Sequence, residues 1–146
     1  MAEQTNWRIE SEAEVKAYLQ NMKYALEHGA KIDFRIKRLV DEKRGERFTN
    51  AYTVAELFPN ESPAQALRKE LKKLTCGEYI RTVKDLRFPQ RGEMREFGKT
   101  YKGKGDVYIK IRVEVLGKYG IPITFVMSFH FAEKVFSEEM FPYRNK

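Results

Sequence analysis

Residues 106–116, DVYIKIRVEVL, decide the architecture. Val107, Ile109, Ile111, Val113 and Val115 put an aliphatic side chain at every second position, the period of a strand with one buried face. The same alternation collects Tyr108, Lys110, Arg112 and Glu114 on the opposite face. Two further runs of strand character flank it, EFGKTY at 96–101 and PITFVMSFHFA at 122–132. Gly103 and Gly105 supply one hairpin turn and the stretch from Gly117 to Pro122 supplies the next, so three antiparallel strands are expected. The last of them has apolar residues on both faces at first. It then places Ser128 and His130 on one face, within reach of Tyr108 or Lys110 across the sheet.

The N-terminal half changes period. In SEAEVKAYLQNMKYALEH, residues 11–28, Val15, Leu19, Met22 and Leu26 recur at helical spacing, with Ser11 and Glu14 as a capping box and Gly29 as the stop. The next segment, KIDFRIKRLV, alternates Ile32, Phe34 and Ile36 with charges, which predicts a half-buried strand, and DEKRGER at 41–47 reads as a turn. After the short apolar segment TVAELF, Ser62 caps and Pro63 opens a helix to about Leu74, with Ala64, Leu67, Leu71 and Leu74 as its buried stripe. EYIRTV at 78–83 is β-branched and aromatic, a strand or the lip of one, and KDLRFPQRGEM is a basic loop. From Glu133 a short helix is expected, ending in a frayed tail at Tyr143 to Lys146. The reading is a single α+β domain over 1–146, an antiparallel sheet packed by N-terminal helices.

Composition narrows the partners. The 146 residues are 42% hydrophobic and include ten Phe and eight Tyr, enough for one core and far from the composition of a disordered chain. Lys and Arg total 28 against 21 Asp and Glu, a net charge of +7 that favours polyanions, nucleic acid first and an acidic protein second. Cys76 is the only cysteine, so no intrachain disulfide forms, and a reducing, cytoplasmic compartment is expected. No run approaches the roughly 20 apolar residues that span a bilayer, and no signal peptide is evident, so no membrane partner is expected.

The chemistry-bearing residues converge on the strand pair. Cleavage of RNA by its own 2′-hydroxyl needs a base, an acid for the leaving oxygen and cations for the pentavalent phosphate, and Tyr, His, Lys and Arg fill these roles without a cofactor. Of the two histidines, His28 falls at a helix C-terminus, where capping is the expected role, and His130 falls on the sheet. The basic residues Arg81, Lys84, Arg87, Arg91 and Arg95, interleaved with Tyr79 and Phe88, offer phosphate contacts and stacking surfaces for unpaired RNA. The wet face of any antiparallel sheet also carries such charges, and a solvated loop accounts equally for the basic run. No metal-ligand spacing, Gly-rich phosphate loop or nucleophile elbow is present, so metalloenzyme, kinase and hydrolase-fold readings lose support.

GKTYKGKGDVYIKIRV at 98–113, followed by VMSFHFAE at 126–133, resembles the strand pair that marks the MqsR family of toxins. VAELF, a helix and LTCGEYIRT at 74–82 are similar to the family's pattern in the same order, and the resemblance covers about residues 13–133, leaving 134–146 as a C-terminal extension. It implies a RelE-like α+β fold and a metal-independent endoribonuclease that cleaves mRNA, neutralised by a cognate antitoxin protein. Carried over by position, the family's basic residue after the acidic-aromatic pair is Arg81, its strand tyrosine is Tyr108, and the residue after Ser-Phe is His130. The expected catalytic set is Tyr108, His130, Arg81 and Lys110, with Lys84, Arg87, Arg91, Arg95, Lys99 and Arg112 on the RNA. Arg95 stands where relatives often carry Trp, and Gly105-Asp106 lengthens the hairpin. The rival reading is a non-catalytic nucleic-acid-binding or protein-interaction module on the same fold.

Overall fold

The aliphatic side of the decisive strand does what its period requires: Val107, Ile109 and Ile111 are fully buried against helices. The computed structural model describes residues 6–36, 45–116 and 121–144. Its elements run β1 (Trp7–Arg8), α1 (Glu12–Glu27), β2 (Lys31–Phe34), α2 (Asn50–Leu57), α3 (Pro63–Lys72), β3 (Tyr79–Val83), β4 (Met94–Tyr101), β5 (Gly105–Leu116) and β6 (Ile121–Phe131). The sheet order is β1-β3-β4-β5-β6-β2. Every described pairing is antiparallel except β2 with β6, which is parallel, so the expected antiparallel sheet is a mixed one. The expected hairpin loop at 117–120 and most of the turn at 41–47 lie outside the described residues.

The helices form where their signals stand. Ser11 and Glu14 cap α1 reciprocally, Val15, Leu19, Met22 and Leu26 are its buried stripe, and Gly29 leaves it at φ 88. His28 stacks on Tyr24 and its Nδ1 lies 2.7 Å from the Tyr24 carbonyl, the capping role expected of it. Of the stripe expected for α3, Leu67, Leu71 and Leu74 are buried and Ala64 faces solvent, with Ala66 and Glu70 buried in addition. TVAELF belongs to α2, which begins at Asn50 where the Thr49 hydroxyl accepts the Tyr52 N–H.

Helix α2 settles a backbone problem on β6. Strand β2 pairs with β6 only as far as Val126, leaving the edge of β6 beyond it without a strand neighbour on that side. Side chains replace the missing strand, since unpaired edge groups are costly to bury and open to aggregation. Asn50 donates to the Arg35 and Met127 carbonyls and accepts the Phe129 N–H, and the Thr53 hydroxyl accepts the Phe131 N–H.

The segment after β6 is a strap, with only a 3-10 turn at Glu138–Met140 in place of the expected helix. It crosses the sheet face opposite the helices, where Phe136 and Phe141 pack edge-to-face over Gly98. Tyr143, expected to fray, stacks near Tyr79 and donates to the Glu10 carbonyl. Gly98 is required by this crossing, because a Cβ there would lie 2.7 Å from Phe136 Cε2 and 2.9 Å from Phe141 Cζ. Gly98→Ala is expected to displace both rings and cost about 1–3 kcal/mol, as overpacking does, read as a fall in Tm. An unchanged Tm would mean that the strap does not pack as described.

Candidate active site on the open sheet face

Two β-bulges aim the site. In β3 an extra residue at Ile80 separates the pairs Tyr79↔Phe97 and Arg81↔Glu96, turning Tyr79 into the core and Arg81 onto the open face. In β6 an extra residue at Met127 separates Ile111↔Val126 from Lys110↔Ser128, with the same result for Val126 and Ser128. Without these insertions strict alternation would leave Arg81 on the helix face with Tyr79, and Ser128 and His130 there with Val126. Register then builds two adjacent rows on the open face: Arg81, Glu96, Lys110 and Ser128 across four strands, and Gly98, Tyr108 and His130 across three.

Glu96 is the centre of this cluster. Its side chain is only 5% exposed, and it accepts a 2.6 Å hydrogen bond from Arg81 Nε and a short one from the Tyr108 hydroxyl. A buried carboxylate is tolerated only when it is paired and hydrogen-bonded in this way. Arg81 remains 41% exposed, so part of its guanidinium faces solvent. The His130 ring lies 5.5 Å from that of Tyr108, and its Nδ1 is 3.0 Å from the Phe131 carbonyl. A carbonyl only accepts, so Nδ1 carries a proton and donates it there. His130 is 8% exposed and sits deeper than Arg81.

The face is bounded at both ends. The strap lies over Gly98, beside Tyr108. At the other end the loop from β3 to β4 folds back, where the Gly92 N–H donates to Glu114. Tyr108 and Glu114 are six positions apart on β5, about 20 Å at a strand's rise.

Of the residues expected in the site, Tyr108, His130, Arg81 and Lys110 come together, and several of those expected to contact RNA lie elsewhere. Lys99 pairs with Val107, so it points to the helix side, where its Nζ lies 5.7 Å from the Tyr101 ring. Arg95 is opposite Ile111 on that side too, bonded to the buried Glu10 carboxylate and stacked 4.2 Å over Tyr18. Arg112 is on the open face but 5% exposed, packed 4.6 Å over Phe125 and ion-paired with Glu114. Tyr79 is fully buried and offers no stacking surface. Lys84, Arg87 and Arg91 are exposed on the β3–β4 loop, away from Tyr108; Arg87 is held by Asp85, and Arg91 covers the Phe88 ring at 3.9 Å. The Arg87 guanidinium keeps the Asp85 carboxyl below its ordinary range.

Two residues escaped the sequence reading. Glu96 was legible in principle: alternation in EFGKTY puts it opposite in sense to Phe97, and the Gly103–Gly105 hairpin brings it level with Lys110. Trp7 gave no signal, because a two-residue strand has no period. It pairs with Val83 at the sheet edge, and the Arg81 guanidinium lies 5.6 Å from its ring. Beside it Arg8 and Glu93 form a 2.8 Å ion pair that holds the Glu93 carboxyl below its ordinary range. Among the described residues no three His, Cys, Asp or Glu side chains gather as a metal-binding group, and no helix is long and apolar enough to cross a membrane. No family model, curated protein or solved structure matches the chain.

Proposed function

We propose that this chain is a metal-independent endoribonuclease that cleaves mRNA, the toxin of a type II toxin–antitoxin pair related to the MqsR family, acting in the cytoplasm and neutralised by an antitoxin protein. The observation that carries the reading is the Glu96 carboxylate, which draws Arg81 and Tyr108 together on an open sheet face with His130 beside them. The net charge of +7 and the exposed cations of the β3–β4 loop suit a long polyanion that runs past this point.

In this mechanism Tyr108 meets the RNA 2′-hydroxyl and takes its proton while passing its own to Glu96. The 2′-oxygen attacks the adjacent phosphorus, the bond to the 5′-oxygen breaks, and His130 as imidazolium supplies the proton for that leaving oxygen. The products are a 2′,3′-cyclic phosphate and a 5′-hydroxyl. Arg81 and Lys110 neutralise the charge that accumulates on the phosphoryl oxygens.

The test is incubation of purified protein with a long single-stranded RNA in EDTA and mapping of any new ends. Wild-type protein is expected to cut, and Tyr108→Phe, His130→Ala and Arg81→Ala to lose about 100-fold or more, the usual scale for one acid-base or charge-stabilising group. Cleavage unchanged in all three folded variants would sink the site assignment. One observation favours the second reading, a non-catalytic RNA-binding module: His130 and Ser128 are buried, whereas Arg81 keeps 41% of its side chain open to a phosphate. RNA that is bound in a salt-dependent way by wild-type protein and stays intact would select it.

A further inference from the structure

Trp7 is the only tryptophan of the chain and is 46% exposed at the sheet edge. A side chain of that size ordinarily contributes to a core or an interface, and here half of it is left in water. It faces the same side of the sheet as Arg81: Trp7 pairs with Val83, and Val83 and Arg81 are two apart on β3. The Arg81 guanidinium therefore stands between the indole, 5.6 Å away, and Glu96, to which its Nε is bonded. The indole also lines an open cavity of about 150 Å³, together with Asn6, Arg8, Lys84, Leu86 and Glu93. Leu86 is itself exposed and adds an apolar wall.

We infer that Trp7 and the cavity beside it form a nucleobase subsite for unpaired RNA, in which one base stacks on the indole and a neighbouring phosphate meets Arg81. The inference rests on the RNA reading of the adjacent site. Unpaired bases are recognised by stacking on aromatic and guanidinium planes, with edge hydrogen bonds giving preference. Arg8 and Lys84 supply donors, and Asn6 supplies both a donor and an acceptor. Both oxygens of the ionised Glu93 accept from Arg8, and the second lone pair of each is left for an exocyclic amino group, which an acidic peptide does not offer.

Because Trp7 is the sole tryptophan, its fluorescence reports occupancy directly. The protein is titrated with a single-stranded 2′-O-methyl RNA, which has no free 2′-hydroxyl to attack, and binding is followed independently by anisotropy of an end label. The expected result is saturable quenching with the same midpoint as the anisotropy curve, and little quenching by an abasic oligonucleotide of equal length. Trp7→Ala is expected to weaken binding by about tenfold, within the range for loss of one base–aromatic stack, and Trp7→Phe to restore most of it. Binding by anisotropy with unchanged tryptophan emission overturns the subsite, and so does the absence of any binding. RNA cleavage without quenching would remove the subsite and leave the nuclease; quenching without cleavage would do the reverse.

Discussion

Glu96→Gln is expected to lower RNA cleavage by about 100-fold or more while the protein remains folded, the scale on which a positioned proton acceptor contributes. The amide keeps the size of the carboxylate, and its oxygen still accepts from Arg81. It cannot take the proton that the Tyr108 hydroxyl now directs at Glu96. Glu96→Ala goes further, leaving Arg81 and Tyr108 without the acceptor that fixes them, with loss of hydrogen bonds to a charged group at about 1.5–3 kcal/mol each, less for the partly exposed Arg81. Activity of Glu96→Gln within a few-fold of wild type, in protein with native thermal unfolding, would show that Tyr108 needs no carboxylate behind it. The Tyr108→Phe variant provides the comparison. If Glu96 acts through Tyr108, the double variant should be scarcely worse than either single one, as expected of residues that act as a unit.

The second large effect is expected at Asn50, a neutral side chain outside the Glu96 cluster. Asn50 is fully buried and holds three backbone groups that have no strand to pair with: the carbonyls of Arg35 and Met127 and the N–H of Phe129. Asn50→Ala strands all three, and at about 1–3 kcal/mol for each buried group left unsatisfied the loss is on the order of 3–5 kcal/mol, part of a domain's whole stability. Urea unfolding measures it, and a loss below about 1 kcal/mol would mean that water or a backbone shift replaces the side chain. The consequence reaches the site as well. Met127 is the bulged residue, and the bulge is what turns Ser128 and His130 to the open face. Cleavage should therefore fall in Asn50→Ala even under conditions where the variant is folded.

These two residues also mark the reach of the sequence. The α1 and α3 helices were readable from their caps and their three- and four-residue spacing, and β5 from its alternation, because such signals are written in consecutive side chains. The short α2 was not, since two turns give too little period to separate a helix from an apolar strand. The side of the sheet on which Lys99 stands was legible, since it shares parity with Phe97 and Tyr101, which face the core side. Arg95 is drawn inward by Glu10, which only folding brings to it, and Arg112, beside Glu114 on the same strand, is covered by Phe125, which only strand register sets opposite it.

By itself, then, the sequence determined the α+β class, the two-sided character of β5 and the gathering of Tyr108 with Lys110 on its polar side. Those follow from local sterics and from the demand that apolar side chains leave water. Only the tertiary structure decided that Arg81 and His130 join them, that Glu96 ties Arg81 to Tyr108, and that Trp7 stands at the end of the row. Each of those outcomes depends on strand order, on register or on an inserted residue that reverses a strand's faces. Such choices are made between segments distant in the chain, where packing and the pairing of backbone groups outweigh any local preference.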